Sequence, residues 1–498
     1  WLEPRELPEA CLPLTERRAK NGGPDAERAW QRVRLLLANS QVSAARRTLA
    51  ALPAAEQPDE RLLTQAAVAP KRLLAQPPRD LERRAPREMV VFALARLARS
   101  DARAAAEVLQ GALGERLPAA DRAALWGHVA AQASYEFDAD ALAWFERAGA
   151  APLTDEQLVW KARAALRAGR WQLLRESIDA MSVAARQDMA WTYWYGRALA
   201  AQGDAEGARA QFGRIAGQPL YYSVLATEEL GGEASIPGPH HQPAEAEVDA
   251  ARNDVQLARA LELYRLGLRT EATNEWIFAV RHYDDRRLLA AAELAHRAAV
   301  YDRAINTAGR TERLHDYRVR YLAPFRDVFR EYARAYDLEE AWVLGVVRQE
   351  SRFIVDARSG AGATGLMQLL PDTARWVARR IGYKGYTTKR VAEVETNVTL
   401  GTRYLRHVLD GFGTPVLASA AYNAGPSRAR RWQPAQAMEG AVFVESIPYS
   451  ETREYVKRVL ANTVHYALLL EGRSAPLKQR LGTIPGRNGS PPALEEFQ

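Results

Sequence analysis

Phe92, Trp126, Trp160 and Trp194 stand 34 residues apart each time, and no other feature of this 498-residue chain limits its architecture as strongly. Around them residues 1–235 are rich in Ala, Leu, Arg, Glu and Gln, with apolar positions recurring at intervals of three and four, so the stretch reads as helix throughout. Gly169 and Gly203 each follow their tryptophan by nine residues, where a helix of ordinary length must turn. A period of this length is that of a helix–turn–helix unit. One such unit cannot bury its own apolar face, so neighbours stack and the result is an α-solenoid.

The unit length is that of tetratricopeptide-type repeats, and Trp194-Tyr195-Gly196 with Ala198, Ala208 and Phe212 follows their packing pattern loosely. The helical pattern breaks at Ile236-Pro237-Gly238-Pro239-His240-His241-Gln242-Pro243, which reads as a linker. His240 and His241 have no further His or Cys at ligand spacing and are expected to be loop residues. Helix resumes from Val248 to about Tyr321, with Leu257, Leu261, Tyr264 and Leu268 expected on one face. From Leu322 onward glycines, prolines, tyrosines and asparagines punctuate the helices, so chemistry is expected there. The expected organisation is a helical domain over 1–235, a helical linker domain over 236–321, a third domain over 322–480 and a tail over 481–498, extended or mobile.

Composition excludes several classes. A single cysteine, Cys11, rules out an intrachain disulfide framework and any multi-cysteine metal site, and no chemistry is assigned to it. No run of 18 apolar residues occurs, so no membrane-spanning helix is expected. The chain opens at Trp1 without a basic start or apolar leader, which is read as a mature form whose targeting peptide has been removed. Its net charge of +7 is uneven: residues 321–498 hold 24 basic and 18 acidic groups. That excess suggests a polyanion (nucleic acid, a membrane surface or an anionic cell-wall polymer) without choosing among them.

Two motif matches fail on context. Gly360-Ala361-Gly362-Ala363-Thr364-Gly365 has the spacing of a dinucleotide-binding turn but follows a helical segment instead of a strand. Asn397-Val398-Thr399 has the form of a glycosylation sequon but lies inside a helix-like segment and is read as structural.

The informative segment is Arg348-Gln349-Glu350-Ser351-Arg352-Phe353, followed by Ser359, Gly362-Ala363-Thr364-Gly365-Leu366-Met367-Gln368 and Pro371. A helix ends in a carboxylate and a glycine-rich turn folds back past it. Trp342, Val343, Val346 and Val347 give that helix a buried face, so Glu350 emerges from apolar surroundings. Such surroundings resist ionisation, which is how a carboxyl becomes a proton donor near neutral pH.

These residues resemble the first signature of the soluble lytic transglycosylases, members of the lysozyme superfamily. Two further blocks follow in the order that family shows: Ala421-Tyr422-Asn423-Ala424-Gly425-Pro426, and Glu445-Ser446-Ile447-Pro448-Tyr449-Ser450-Glu451-Thr452-Arg453-Glu454-Tyr455-Val456. Between them Asn397, Gly401, Tyr404 and Leu405 match the helix at the back of the family's cleft, and upstream Tyr221-Tyr222, Ala226 and Glu229-Leu230-Gly231 look like the end of its helical ring. Leu370, where relatives often have methionine, and Arg352-Phe353 depart from the pattern. The resemblance implies an all-α protein with an N-terminal superhelical ring, a linker domain and a lysozyme-like, mainly helical catalytic domain.

It also implies an activity: cleavage of the β-1,4 bond between N-acetylmuramic acid and N-acetylglucosamine in peptidoglycan, with formation of 1,6-anhydromuramoyl ends. By carry-over Glu350 is the catalytic acid and then base. Ser359, Met367 and Gln368 line the sugar subsites, with core filler the alternative for Met367. Tyr422 and Asn423, placed on an exposed cleft strand or turn, contact the acetamido group or the oxocarbenium-like centre. Glu451 orients its neighbours, and Arg453 pairs either with Glu451 or with a peptide carboxylate. One carboxylate acts alone, since nothing aims Asp356 at a second position, and a closed, apolar-walled cleft is expected to keep water out. No metal or organic cofactor is implied. The implied partners are peptidoglycan glycan strands and cell-wall synthesis or remodelling proteins held by the helical ring; a monomer in the periplasm, with no nucleic-acid partner, is expected. The alternatives are a goose-type lysozyme-like hydrolase and an inactive peptidoglycan-binding scaffold.

Overall fold

The computed structural model describes residues 2, 5–11 and 26–487; Trp1 and positions 488–498 of the expected tail lie outside them. Among the described residues the secondary structure is helical apart from two strands of two residues each, β1 (Met438–Glu439) and β2 (Thr483–Ile484), paired antiparallel. The all-α expectation holds. The chain divides into two compact units, residues 1–187 and 188–498, so the break expected near residue 235 falls inside the second unit.

The first unit is built of helix pairs: Ala26–Ala38 with Val42–Ala50, Glu60–Val68 with Pro70–Ala75, Arg84–Ser100 with Ala102–Gln110, Ala119–Tyr135 with Ala141–Ala148, and Asp155–Arg167 with Trp171–Asp179. The pairs share a continuous apolar core running from Ala29 to Trp160. Phe92, Trp126 and Trp160 are buried on the first helix of three successive pairs. In the second unit Trp194 holds the same place on Met189–Ala201, which pairs with Ala205–Gly213. The 34-residue period therefore marks one large aromatic per hairpin, each a site where truncation to alanine costs about 3–5 kcal/mol. Gly169 and Gly203 turn the hairpins with φ of +65° and +88°, a conformation that strains any residue with a Cβ. Asp101, Thr154 and Asp204 cap helices through their side chains, Thr154 in a reciprocal box with Gln157.

In the second unit the helices Glu245–Arg252, Val255–Arg265, Arg269–Ala279, Asp285–Arg297 and Tyr301–Ala308 form the segment expected as a linker domain. The apolar face read from sequence is shorter there than its spacing suggested. Leu257 is buried, but the helix ends at Arg265, Gly267 adopts a left-handed turn, and Leu268 emerges exposed ahead of the next helix.

Six helices then frame the C-terminal part: α1 (Glu340–Glu350), α2 (Pro371–Arg380), α3 (Val394–Phe412), α4 (Pro415–Ala424), α5 (Gly440–Ser446) and α6 (Ser450–Glu471). Helices α1 and α6 pack with backbones close together at Gly345, where a Cβ would lie 2.9 Å from the carbonyl oxygen of Val459. Trp342 on α1 donates to the Ser419 hydroxyl on α4 across 3.2 Å, satisfying a buried indole. The beginning of the expected tail is docked: Ile484 is fully buried, β2 pairs with β1, and the Arg487 amide donates to the Pro434 carbonyl.

Residues 221–229 are tied to this C-terminal part by polar contacts, that of Tyr222 buried and those of Glu228 nearer the surface, a physical reason for the unit boundary lying upstream of residue 235. The Tyr222 phenol donates to Glu445 on α5, the Trp194 indole donates to Tyr222 across 3.2 Å, and Glu445 pairs with Lys457 on α6 at 2.9 Å. The Glu228 carboxylate accepts from the Leu477 and Lys478 amides at the start of the helix Leu477–Leu481.

Candidate active site

Glu350 is the last residue of α1, and the apolar positions before it, Trp342, Val343, Val346 and Val347, are buried as their spacing required. The helix stops there because Ser351 turns back: its hydroxyl donates to the Leu366 carbonyl across 2.7 Å and accepts from the Phe353 amide. The Gly360–Gly365 stretch is thus a turn following a helix, as its context demanded, and bridges Arg358–Thr364 and Thr364–Leu369 close it.

Asn397 of α3 clamps this turn from beneath. Fully buried, it accepts from the Met367 amide at 2.7 Å and donates to the carbonyls of Thr364 and Val391 at 3.0 and 2.7 Å. The sequon asparagine is therefore a structural residue, as read from its position.

The cleft, about 510 Å³, is lined by Glu350, Ser359, Gln368, Asn423, Glu451 and Tyr455, joined by Gln349, Ser450, Glu454 and Arg458. Five of the seven expected site residues thus meet in one place. Glu451, Glu454, Tyr455 and Arg458 lie along one face of α6 by their spacing of three and four. Ser359 is held by a tight loop in which its hydroxyl accepts from the Ala363 amide. Gln368 sits at φ +46°, with its side-chain amide donating to the carbonyls of Ala357 and Gly365, which leaves its oxygen free as an acceptor.

Two expectations are corrected. Met367 is fully buried and packs on Gly401, so its sulfur cannot line a subsite; its carbonyl accepts from the Tyr422 phenol at 2.7 Å. Tyr422 and Asn423 stand in the last helical turn of α4 instead of on the exposed strand or turn expected, and Tyr422 is half-buried against Tyr404. The lining residues are all polar or charged, although their carbon atoms supply about half of the cleft surface, so the expected apolar walls are met only in part. The apolar surroundings of Glu350 lie beneath it, where helices pack.

Those surroundings govern its proton. Desolvation of the half-buried carboxyl is the main cause that raises the Glu350 pKa to about 7, helped by the nearby charge of Glu451 and opposed by the Tyr455 phenol, which donates to Oε1 across 2.6 Å. Burial raises the Tyr455 and Tyr422 phenols well above their ordinary range, so both remain protonated donors. Arg453 is turned inward, donating to the Ile447 carbonyl at 2.6 Å. Tyr455 has no role in the expectations from sequence; its i,i+4 relation places it beside Glu451 on one helix face but does not show its bond to Glu350, 105 residues away. Thr452, whose hydroxyl donates to Oδ1 of Asn423 across 2.7 Å, was also passed over.

A carboxylic acid at a helix end, with a phenol on it and side-chain amides beside it, is a group able to give up a proton near neutral pH. Residues 327–441 match the Transglycosylase SLT domain, 446–475 the Soluble lytic transglycosylase helical domain and 250–317 the Soluble lytic murein transglycosylase L domain, three models that together match less than half of the chain. It is similar to the Soluble lytic murein transglycosylase of Escherichia coli K12, 28% identical over 348 residues, which cover 66% of this chain and 53% of that protein. The Salmonella typhimurium protein of the same description is 30% identical, covering 61% of this chain and 48% of that one. The chain thus spans about half the length of the curated relatives it matches. Among solved structures, an inactive mutant of the lytic transglycosylase Slt from Pseudomonas aeruginosa superposes with a TM-score of 0.79 at 29% identity, covering 96% of this chain and 78% of that one.

Proposed function

We propose that this chain is a lytic transglycosylase of peptidoglycan, working in the periplasm on glycan strands, with residues 322–480 as its catalytic domain, 236–321 as its linker domain and 1–235 as its helical domain. The observation that carries the reading is Glu350, a half-buried carboxyl with a pKa pushed up to about 7 and held by Tyr455 in a cleft large enough for sugars.

In its acid form Glu350 gives its proton to the glycosidic oxygen between N-acetylmuramic acid and N-acetylglucosamine. The bond to the muramoyl C1 breaks, the N-acetylglucosamine leaves as an alcohol, and the acetamido oxygen of the muramoyl sugar closes on C1. Glu350, now a carboxylate, takes the proton from the C6 hydroxyl as O6 attacks C1 and displaces the acetamido oxygen. The product is a 1,6-anhydro end and no water is consumed. Tyr455 steadies the carboxylate between the two steps, Ser359, Gln368 and Asn423 hold the sugars, and Glu451 keeps Glu350 protonated until substrate binds.

Mass spectrometry of soluble products from purified sacculi, digested with the unmodified chain and with Glu350→Gln, tests the reading. Anhydro-ended muropeptides from the unmodified chain alone support it. Reducing ends would mean a hydrolytic, goose-type lysozyme-like enzyme, and no products from either would mean a binding scaffold.

A further inference from the structure

We propose that Thr452 is a positioning residue that fixes the polarity of the Asn423 amide, so that Asn423 presents hydrogen-bond donors, not an acceptor, to the sugar in the cleft; this rests on the glycan reading above. Thr452 is the third residue of α6 and is almost completely buried. A helical threonine commonly returns its hydroxyl to the carbonyl four residues earlier, as Thr463 does in the same helix at 2.8 Å. Thr452 instead reaches across to α4 and donates to Oδ1 of Asn423.

An amide can be turned end for end without changing its shape, and the partners decide its orientation. With Oδ1 engaged by Thr452, Nδ2 is the end left over, and it donates to no described residue. Asn423 shares the cleft with Glu451 and Glu454, whose charges favour a donor end turned toward them and disfavour a carbonyl oxygen, and with Arg458, whose charge acts the other way. The Thr452 hydroxyl, buried and with no other acceptor among the described residues, would leave its proton unpartnered in the reversed orientation, so it selects this one. Across the same cleft Gln368 is set the opposite way, with its nitrogen engaged by two carbonyls and its oxygen left over. One amide offering donors and another offering an acceptor match a secondary amide, whose carbonyl accepts and whose N–H donates. The arrangement suits the N-acetyl group of the proposed substrate, and a free amine in its place lacks the acceptor that Asn423 addresses.

The experiment uses the full chain carrying Glu350→Gln, with calorimetric titration of tri-N-acetylchitotriose and of its de-N-acetylated counterpart. Adding Thr452→Val, which keeps the shape and removes the hydroxyl, is expected to weaken binding of the N-acetylated trimer about tenfold. Thr452→Ser restores it to within about twofold, because the hydroxyl is what matters. Neither change alters the weak binding of the amine trimer. Equal binding of the N-acetylated trimer by the Val form, or a Ser form as weak as Val, overturns the proposal. So does failure of the parent to bind that trimer. If Thr452→Val does not fold, Asn423→Asp decides, since it still accepts from Thr452 but has no donor: unimpaired binding there overturns the proposal, and a loss supports it. Because binding is read without turnover, a chain that releases no anhydro product from sacculi would refute the proposed reaction while the titration still judges Thr452.

Discussion

The Tyr455 phenol on α6 donates to Oε1 of Glu350 at the end of α1 across 2.6 Å, so the two helices that pack most closely at Gly345 also share the proton donor of the site. That hydrogen bond favours the ionised form of Glu350, against the desolvation that raises its pKa to about 7. Tyr455→Phe therefore raises the pKa further. Since the first step needs the acid form, kcat/KM falls as pH rises through that pKa, and the alkaline limb of the profile should move up by as much as about one unit. A pH profile of kcat/KM on solubilised glycan strands checks it; a limb that stays in place would show the contact to be without effect on the proton.

Glu451 acts with the opposite sign. Its charge is among the causes that raise the Glu350 pKa, so Glu451→Gln lets Glu350 ionise at lower pH. The alkaline limb should shift downward, with activity near neutrality falling and activity on the acid side largely kept. The two single variants measured side by side form the test, because a general weakening of the cleft would lower both curves without moving them apart.

How much of this could be read beforehand differs residue by residue. Glu350 was legible chiefly through the resemblance of the motif around it; the apolar face at helical spacing and the glycine-rich turn agree with it but recur at many helix ends. The hairpin array was legible because a period of 34 with one aromatic per unit leaves few other architectures. Met367 was not. A methionine in a loop carries no periodicity, and only its packing on Gly401 of α3 shows that it belongs to the core. Thr452 and Tyr455 lay in a recognised block, but their partners, Asn423 and Glu350, are 29 and 105 residues away, and no spacing rule connects such pairs.

Glu350 also leaves a mark on stability. Its pKa in the folded chain lies near 7 against 4.5 for an unhindered carboxyl, so between those values the folded state holds a proton that the unfolded state has released. Stability accordingly falls as pH rises from about 4.5 and levels off above about 7, a total of about 3 kcal/mol from this group. Glu350→Gln removes that term. In thermal unfolding the variant should match the parent near pH 4 and be the more stable of the two at pH 8; equal stability at both pH values would mean that the carboxyl is not desolvated.

The Glu445–Lys457 pair joins α5 to α6 out of reach of solvent, with Glu445 fully buried and Lys457 nearly so. Tyr222 donates to the same carboxylate, and Lys457 also reaches Glu454 at 2.9 Å. Lys457→Met removes the counter-charge from a carboxylate with no access to water, which should cost about 3–5 kcal/mol in denaturant-induced unfolding. A second change, Glu445→Gln, removes the stranded charge. The double variant should recover most of that loss, because a buried pair contributes little beyond compensating its own desolvation. The pattern distinguishes electrostatics from packing: if the loss came from the shape of the Lys457 side chain, neutralising Glu445 would recover nothing. Because Lys457 lies two residues from Tyr455 on α6, the same variants should also lower turnover in proportion to the loss of folded protein, and no more, if the pair serves only to hold the helix.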